Sequence, residues 1–201
     1  MIKLYDGEAS GNAYKARLMM ALLSLDYESV PVNLAAGDNA SEAFLALNPR
    51  GQIPVLVDDD VVLWDSQAVL VYLARRYGDE HWLPLDPAPM GRVMQWMALA
   101  ENELLFGLAR ARAVKVFNRP WNFEECKAYG LKGLAVVEAH LAGSQWLAGG
   151  QVTIAEVACY PYIALARAGE VALEEYPAVM AWMARIEALP GYVGMPGITP
   201  A

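Results

Sequence analysis

Strand character in this sequence stops at Trp64, and beyond the proline-rich stretch that holds Pro84, Pro87 and Pro89 only helical periodicity remains. Residues that repeat with period two bury one face of a sheet, and residues that repeat every 3.6 bury one stripe of a helix. A chain divided this way is expected to form a small sheet-bearing unit followed by an all-helical one. Its 201 residues suit that size, and a 56% apolar, 19% charged composition supplies a substantial core.

Ile2–Asp6 alternates as a strand, and Glu8-Ala9-Ser10-Gly11-Asn12 follows as a loop with helix-capping residues. Leu18, Ala21, Leu22 and Leu25 keep helical spacing. Residues 27–33 read as a second strand, with Pro31 pointing to a sheet edge, where a missing donor matters least. Residues 41–47 form a short helix before Asn48-Pro49. Pro54-Val55-Leu56-Val57 and Val61-Val62-Leu63-Trp64 flank Asp58-Asp59-Asp60 as a hairpin, and Asp65-Ser66 then caps a helix carrying Leu70, Leu73, Ala74 and Tyr77. The order β-α-β-α-β-β-α combines a parallel crossover unit with an antiparallel hairpin, so a mixed four-stranded sheet is expected.

In the second half, Val93, Trp96, Met97 and Ala100 start a helix that runs towards Phe117. A second helix fills 123–142, a third begins at Thr153, and Val179, Trp182, Met183 and Ile186 stripe a fourth. Pro161 should kink the third helix, and the Pro- and Gly-containing tail from Pro190 should be irregular. The expected organisation is a first domain over 1–78, a linker over 79–89 and a helical domain over 90–201.

Fifteen basic and 23 acidic residues give a net charge of −8, shared equally between the two halves, so a phosphate-tracking nucleic-acid surface is not expected. No apolar run reaches membrane-spanning length, and Met1-Ile2-Lys3-Leu4-Tyr5-Asp6 lacks the apolar core and cleavage site of a secretory leader, so a cytoplasmic setting is expected. His81 and His140 are isolated, Cys126 and Cys159 form no CxxC pair, and Gly149-Gly150 has neither the spacing nor the lysine of a phosphate loop. No metal is expected.

Three segments resemble the cytosolic glutathione transferases, and the likeness covers essentially the whole chain. They are Asn48-Pro49-Arg50-Gly51-Gln52-Ile53-Pro54-Val55-Leu56, Leu63-Trp64-Asp65-Ser66-Gln67-Ala68-Val69 with Tyr72-Leu73, and Thr153-Ile154-Ala155-Glu156. Each is weak alone; their order and separation carry the resemblance. It implies a thioredoxin-like α/β domain joined to an all-α domain, with glutathione as co-substrate. The bond before Pro54 would then be cis and the main chain of Ile53 would face the cysteinyl backbone of glutathione. Ser66, at an exposed helix N-terminus, would receive the γ-glutamyl carboxylate. Asp65 stands where the family usually has Glu or Gln and is one methylene shorter, while Gln52 matches a position that often meets the same ligand. Thr153-Ile154-Ala155-Glu156 reads as a structural capping box.

Glutathione chemistry uses the thiolate, which a nearby hydrogen-bond donor stabilises. Tyr5, Ser10, Asn12 and Tyr14 are the candidates near the start of the chain. Alignment of Lys15-Ala16-Arg17-Leu18 with serine-type members puts Ser10 at their catalytic serine, and Asn12 is its competitor. Both residue types also cap helices, so Ser10 has a plain structural reading beside the functional one. A small hydrophobic electrophile is expected between the domains, near Arg110, Arg112, Trp121 and Phe123. The resemblance further implies a homodimer joined through the helix bearing Arg75 and Arg76 and the first helix of the second domain. Glutathione-dependent disulfide or peroxide reduction, isomerisation of a maleyl-type substrate, and a non-catalytic binding module stay open as alternatives.

Overall fold

The computed structural model describes residues 1–198; the last three residues of the expected helical domain lie outside them. The first half contains β1 (Ile2–Asp6), α1 (Gly11–Leu22), β2 (Tyr27–Pro31), α2 (Glu42–Leu47), β3 (Val55–Asp58), β4 (Val61–Trp64) and α3 (Ser66–Tyr77). Strand order is β2-β1-β3-β4, with β1 parallel to β2 and antiparallel to β3, and β3 antiparallel to β4. The mixed sheet matches expectation, and Pro31 closes the edge strand β2.

Two boundaries differ from the sequence reading. Leu25 keeps the helical spacing of α1 but lies beyond it, because the chain turns at Ser24 with φ 54°. Strand β2 ends at Pro31, and at Asn33 the side-chain Oδ1 accepts from the N–H groups of Ala35 and Ala36. That local turn draws the backbone away from the sheet.

The second half is helical. α4 (Pro87–Leu99) runs through a π-helical segment, Ala100–Ala109, into α5 (Arg110–Phe117), and is followed by α6 (Phe123–Leu141), α7 (Ile154–Ala164) and α8 (Pro177–Glu187). α4 begins inside the stretch read as linker, with Pro87 at its first position, where a proline costs no hydrogen bond. A Cβ added at Gly107 would lie 2.2 Å from the Cα of Gly130, so the two glycines let the π-helical segment and α6 touch backbone to backbone. All of α7 is buried, it packs on α1, α3 and α4, and it continues through Pro161 to Ala164. At its start the capping box is present: buried Glu156 accepts from the N–H groups of Thr153 (2.7 Å) and Leu147 (2.6 Å) and from the Thr153 hydroxyl (2.8 Å). None of the described helices is long and apolar enough to cross a membrane.

Helix α3 is clamped to the sheet at the end of β3, where Asp58 accepts from the hydroxyls of Tyr72 (2.9 Å) and Tyr77. Burial works to raise the Asp58 carboxyl, but the two hydroxyls, together with the N-terminal ammonium and Arg76, outweigh it and hold it below the usual carboxylate range. The same contact pushes Tyr77 up to about 12. A carboxyl depressed in the folded state adds stability above its unfolded pKa and loses it as pH falls through the folded value. Asp58→Ala should therefore lower unfolding free energy by about 1.5–3 kcal/mol at pH 7. In denaturant titrations the difference between wild type and variant should shrink as pH falls below about 4; a difference that persists undiminished at lower pH would exclude a charge-assisted clamp.

Candidate functional site

Sheet register brings the expected site residues to one edge. Tyr5 near the end of β1 lies opposite Val55 at the start of β3, and Val55 lies opposite Trp64 at the end of β4. The loop after β1, the segment before β3 and the turn after β4 thus emerge side by side. They carry Ser10 and Asn12, Gln52 with Ile53-Pro54, and Asp65 with Ser66. The Ile53–Pro54 bond is cis, as the resemblance implies. The Ile53 side chain is buried against the first loop: a Cβ on Gly7 would come within 2.7 Å of Ile53 Cδ1. Gln52 has an exposed side chain. Its carbonyl accepts from Asn48 Nδ2 at 2.6 Å, and that of Gly51 accepts from Asn39 Nδ2 at 2.7 Å, so two amides pin this loop.

Helices α1 and α3 begin at this edge. Ser10 is the N-cap of α1, its Oγ accepting from Ala13 N–H at 3.2 Å. That bond uses a lone pair and leaves the hydroxyl proton for an acceptor in front of the helix, so capping and donation coexist. Asp65, at φ 81°, caps α3 through Oδ1 to the Gln67 N–H (2.9 Å), and its Oδ2 pairs with Arg50 at 3.3 Å. The Ser66 hydroxyl, on a residue only 2% exposed, donates to Asn12 Oδ1 at 3.2 Å. The first turns of two twelve-residue helices are therefore hydrogen-bonded to each other, with both positive dipole ends meeting. Such a corner presents partial positive charge at two adjacent points.

A buried ionic cluster behind this corner escaped the sequence reading. Lys15 in α1 is 0% exposed and pairs with Glu101 at 3.0 Å; Gln67 Nε2 donates to the same carboxylate oxygen at 2.6 Å. Burial works to raise Glu101, but Lys15 and Gln67 outweigh it and hold the carboxyl below its usual range. The Lys15 ammonium also lies 5.1 Å from the centre of the Tyr162 ring. A lone lysine inside the tightly buried run Ala13-Tyr14-Lys15-Ala16 was the sequence signal, but its partner stands 86 positions away.

The remaining candidates separate. Tyr14 is buried and donates to Val193 O at 2.6 Å, on the side of α1 that faces the C-terminal segment. Tyr5 packs edge-on against Phe44 in the sheet's minor core. Cys126 and Cys159 are buried, and burial pushes both thiols up. Arg110 stacks between the half-exposed rings of Phe106 (4.3 Å) and Trp121 (4.8 Å), while Phe123 lies beneath Lys115 at 4.1 Å. Arg112 turns the other way and reaches the Ser10 loop, donating to Ala9 O at 3.2 Å. A groove of about 560 Å³ on the β1–β2 side is lined by Gly7, Arg17, Asn33 and Met195, among others, and by none of the seven expected site residues.

Known proteins agree with this geometry. Residues 1–75 match the model of the glutathione S-transferase N-terminal domain, and residues 122–185 that of the C-terminal domain. The chain is 32% identical to glutathione S-transferase 1 of Manduca sexta over 197 residues, 96% of this chain and 90% of the relative. It is 33% identical to maleylacetoacetate isomerase of Pseudomonas aeruginosa over 187 residues, covering 89% of this chain and 87% of that protein. The crystal structure of a glutathione S-transferase from Pseudomonas fluorescens superposes with a TM-score of 0.91 at 36% identity, covering 97% and 98% of the two chains. With both domain models matched and whole-chain likeness in sequence and structure, the chain belongs to the glutathione S-transferase family.

Proposed function

We propose that the protein is a cytosolic glutathione transferase that adds the glutathione thiolate to small hydrophobic electrophiles. The observation that carries this reading is the hydrogen bond between the first turns of α1 and α3, which sets two helix N-termini side by side. Glutathione brings two matching negative charges. Its γ-glutamyl carboxylate meets the N–H groups and hydroxyl of Ser66, and its sulfur meets the α1 end. The Ile53 main chain pairs with the cysteinyl backbone, Gln52 flanks it, and Pro54 fixes the turn that presents them. The Asp65 carboxylate, already holding the Gln67 N–H and Arg50, offers remaining lone pairs to the ligand ammonium.

The Ser10 hydroxyl donates to the sulfur while its oxygen stays bonded to Ala13 N–H, and the Asn12 amide, oriented by Ser66, stands beside it. The thiol proton leaves to water and the sulfur lone pair forms the new C–S bond. An aryl halide then loses halide ion, and an activated alkene takes up a proton at carbon. The reading takes 1–78 and 90–201 as the two domains and 79–89 as the stretch that joins them, its last residues already forming the first turn of α4. A homodimer through α3, with Arg75 and Arg76, and α4 fits the exposure of Tyr77 and Met94 on those helices.

A second reading has support of its own, because one relative is a maleylacetoacetate isomerase. The same thiolate would add to a maleyl double bond, allow rotation and depart unchanged.

Three outcomes check this function. Ser10→Ala should lower kcat/KM about 10- to 100-fold across an aryl halide, a maleyl ester, a disulfide and a hydroperoxide, whichever are turned over. Unchanged turnover with all of them would remove Ser10 from the mechanism. Ser66→Ala should weaken glutathione binding in calorimetry by about 1.5–3 kcal/mol, the range for a bond to a charged group. Absence of any heat with millimolar glutathione and the wild-type chain would favour a non-catalytic module. Sedimentation at micromolar concentration should give a two-chain species; a monomer would reject the proposed dimer.

A further inference from the structure

Four cations stand around the β1–α1 loop and the cleft in front of it, and three have counter-charges or open surroundings. Arg17 pairs with Asp6, and Lys15 pairs with Glu101. Arg110 lies on the half-exposed Phe106 and Trp121 rings. Arg112 is different. It is 7% exposed, its Nη1 donates to Ala9 O, its ring neighbour is Phe117 at 5.1 Å, and its Nε has no hydrogen-bond partner. Among the described residues no carboxylate pairs with it. On the segments packed against α5, Glu170 pairs with Lys115, Glu101 with Lys15 and Glu174 with Arg167, Glu125 bonds Asn122, and neither Glu103 nor Glu124 forms an ion pair with Arg112. Tyr162 also stands close, and burial pushes its hydroxyl up so that it stays neutral.

A buried guanidinium without a counter-ion is costly unless a negative charge reaches it. The loop it grips is the one whose next residue is Ser10. The helix end there receives the sulfur in the function proposed above, on which this inference rests. We propose that Arg112 is a positioning residue for the reaction: its unneutralised charge stabilises the glutathione thiolate formed at Ser10, and its bond to Ala9 O holds the Ser10 loop in place. The folded chain thus lacks the counter-ion of Arg112 until the thiol ionises and its proton leaves to solvent. The pairs Asp6–Arg17, Lys15–Glu101 and Arg50–Asp65 are neutral as pairs. Glu8 on the loop itself is exposed and screened by solvent, so Arg112 is the buried unpaired charge that touches the loop.

The test compares wild type, R112Q and R112K as full chains. Thiolate formation in the glutathione complex is followed by its ultraviolet absorbance, and kcat/KM with a neutral aryl halide is followed against pH. A unit charge near a thiol in a partly buried site displaces its titration by on the order of one pH unit. R112Q should move both midpoints up by about that amount, with about a tenfold loss at neutral pH that recovers in alkali. R112K should stay nearer wild type, and S-methylglutathione, which has no thiol, should bind R112Q as tightly as wild type. Should R112Q not fold, R112M takes its place, its flexible apolar chain suiting a buried slot. Unmoved midpoints in the neutral variant would overturn the proposal. So would an equal loss of S-methylglutathione affinity, which would assign Arg112 to a peptide carboxylate, or a loss confined to carboxylate-bearing electrophiles. No glutathione heat with wild type would instead defeat the underlying function, whatever the variants do.

Discussion

Lys15 sits at full burial in α1, and the two halves of the molecule are arranged around that fact. A buried ammonium requires a counter-charge and a full set of acceptors. It finds Glu101, which belongs to the π-helical segment of the helical half, and Glu101 in turn holds Gln67 at the second position of α3. One carboxylate oxygen thereby ties α1, the long helix and α3 together directly behind the corner where Asn12 meets Ser66. Breaking such a pair by removing one partner leaves an uncompensated charge and costs about 3–5 kcal/mol, far more than a surface bridge. That cluster braces the corner, because Gln67 adjoins Ser66 and Lys15 lies three residues after Asn12 on α1.

Much of this organisation was legible in the sequence because it is local. The bounds of β1, the existence of the hairpin (though Asp58, expected in its turn, pairs with Val61 as part of β3), the Asp65 cap and the Thr153–Glu156 box depend on residues within a few positions of each other. The mixed sheet was legible from a parallel crossover plus a hairpin, while the order β2-β1-β3-β4, which brings the expected site segments together, comes from the structure. Leu25 shows where periodicity misleads: its spacing continues α1, but the positive φ of Ser24 ends the helix first. The spacing of α1 predicts a single apolar stripe, whereas eight of its twelve residues are buried and it packs on both α3 and α7. A helix so enclosed carries no clean amphipathic signal.

The groups that set the electrostatics were not legible, for the opposite reason. Lys15 and Glu101 are 86 positions apart, and Arg112 and Ala9 are 103 apart. Local spacing says nothing about which of fifteen basic residues loses its solvent. Arg110 and Arg112 looked equivalent in sequence, both candidates for the electrophile side. Two positions of difference on a helix turn one towards the exposed Trp121 ring and the other onto the Ser10 loop.

The chain as a whole carries −8, which repels an anionic tripeptide at long range, although salt screens that repulsion beyond about 8–10 Å. Capture therefore depends on charge organised at short range. Two helix N-termini supply fixed partial positive charge without adding a mobile cation, and the corner keeps Lys15, Arg17 and Arg50 neutralised as pairs. Each end, equivalent to about half an elementary charge, suits a carboxylate that arrives already ionised. A thiol with a free pKa near 8.5 needs more, because it must first release its proton at neutral pH. A whole uncompensated charge beside the Ser10 loop supplies that difference where a fourth neutral pair would not. The division of labour follows from two of the acids the ligand brings: the α3 dipole meets the γ-glutamyl carboxylate, and a buried cation shifts the weaker thiol.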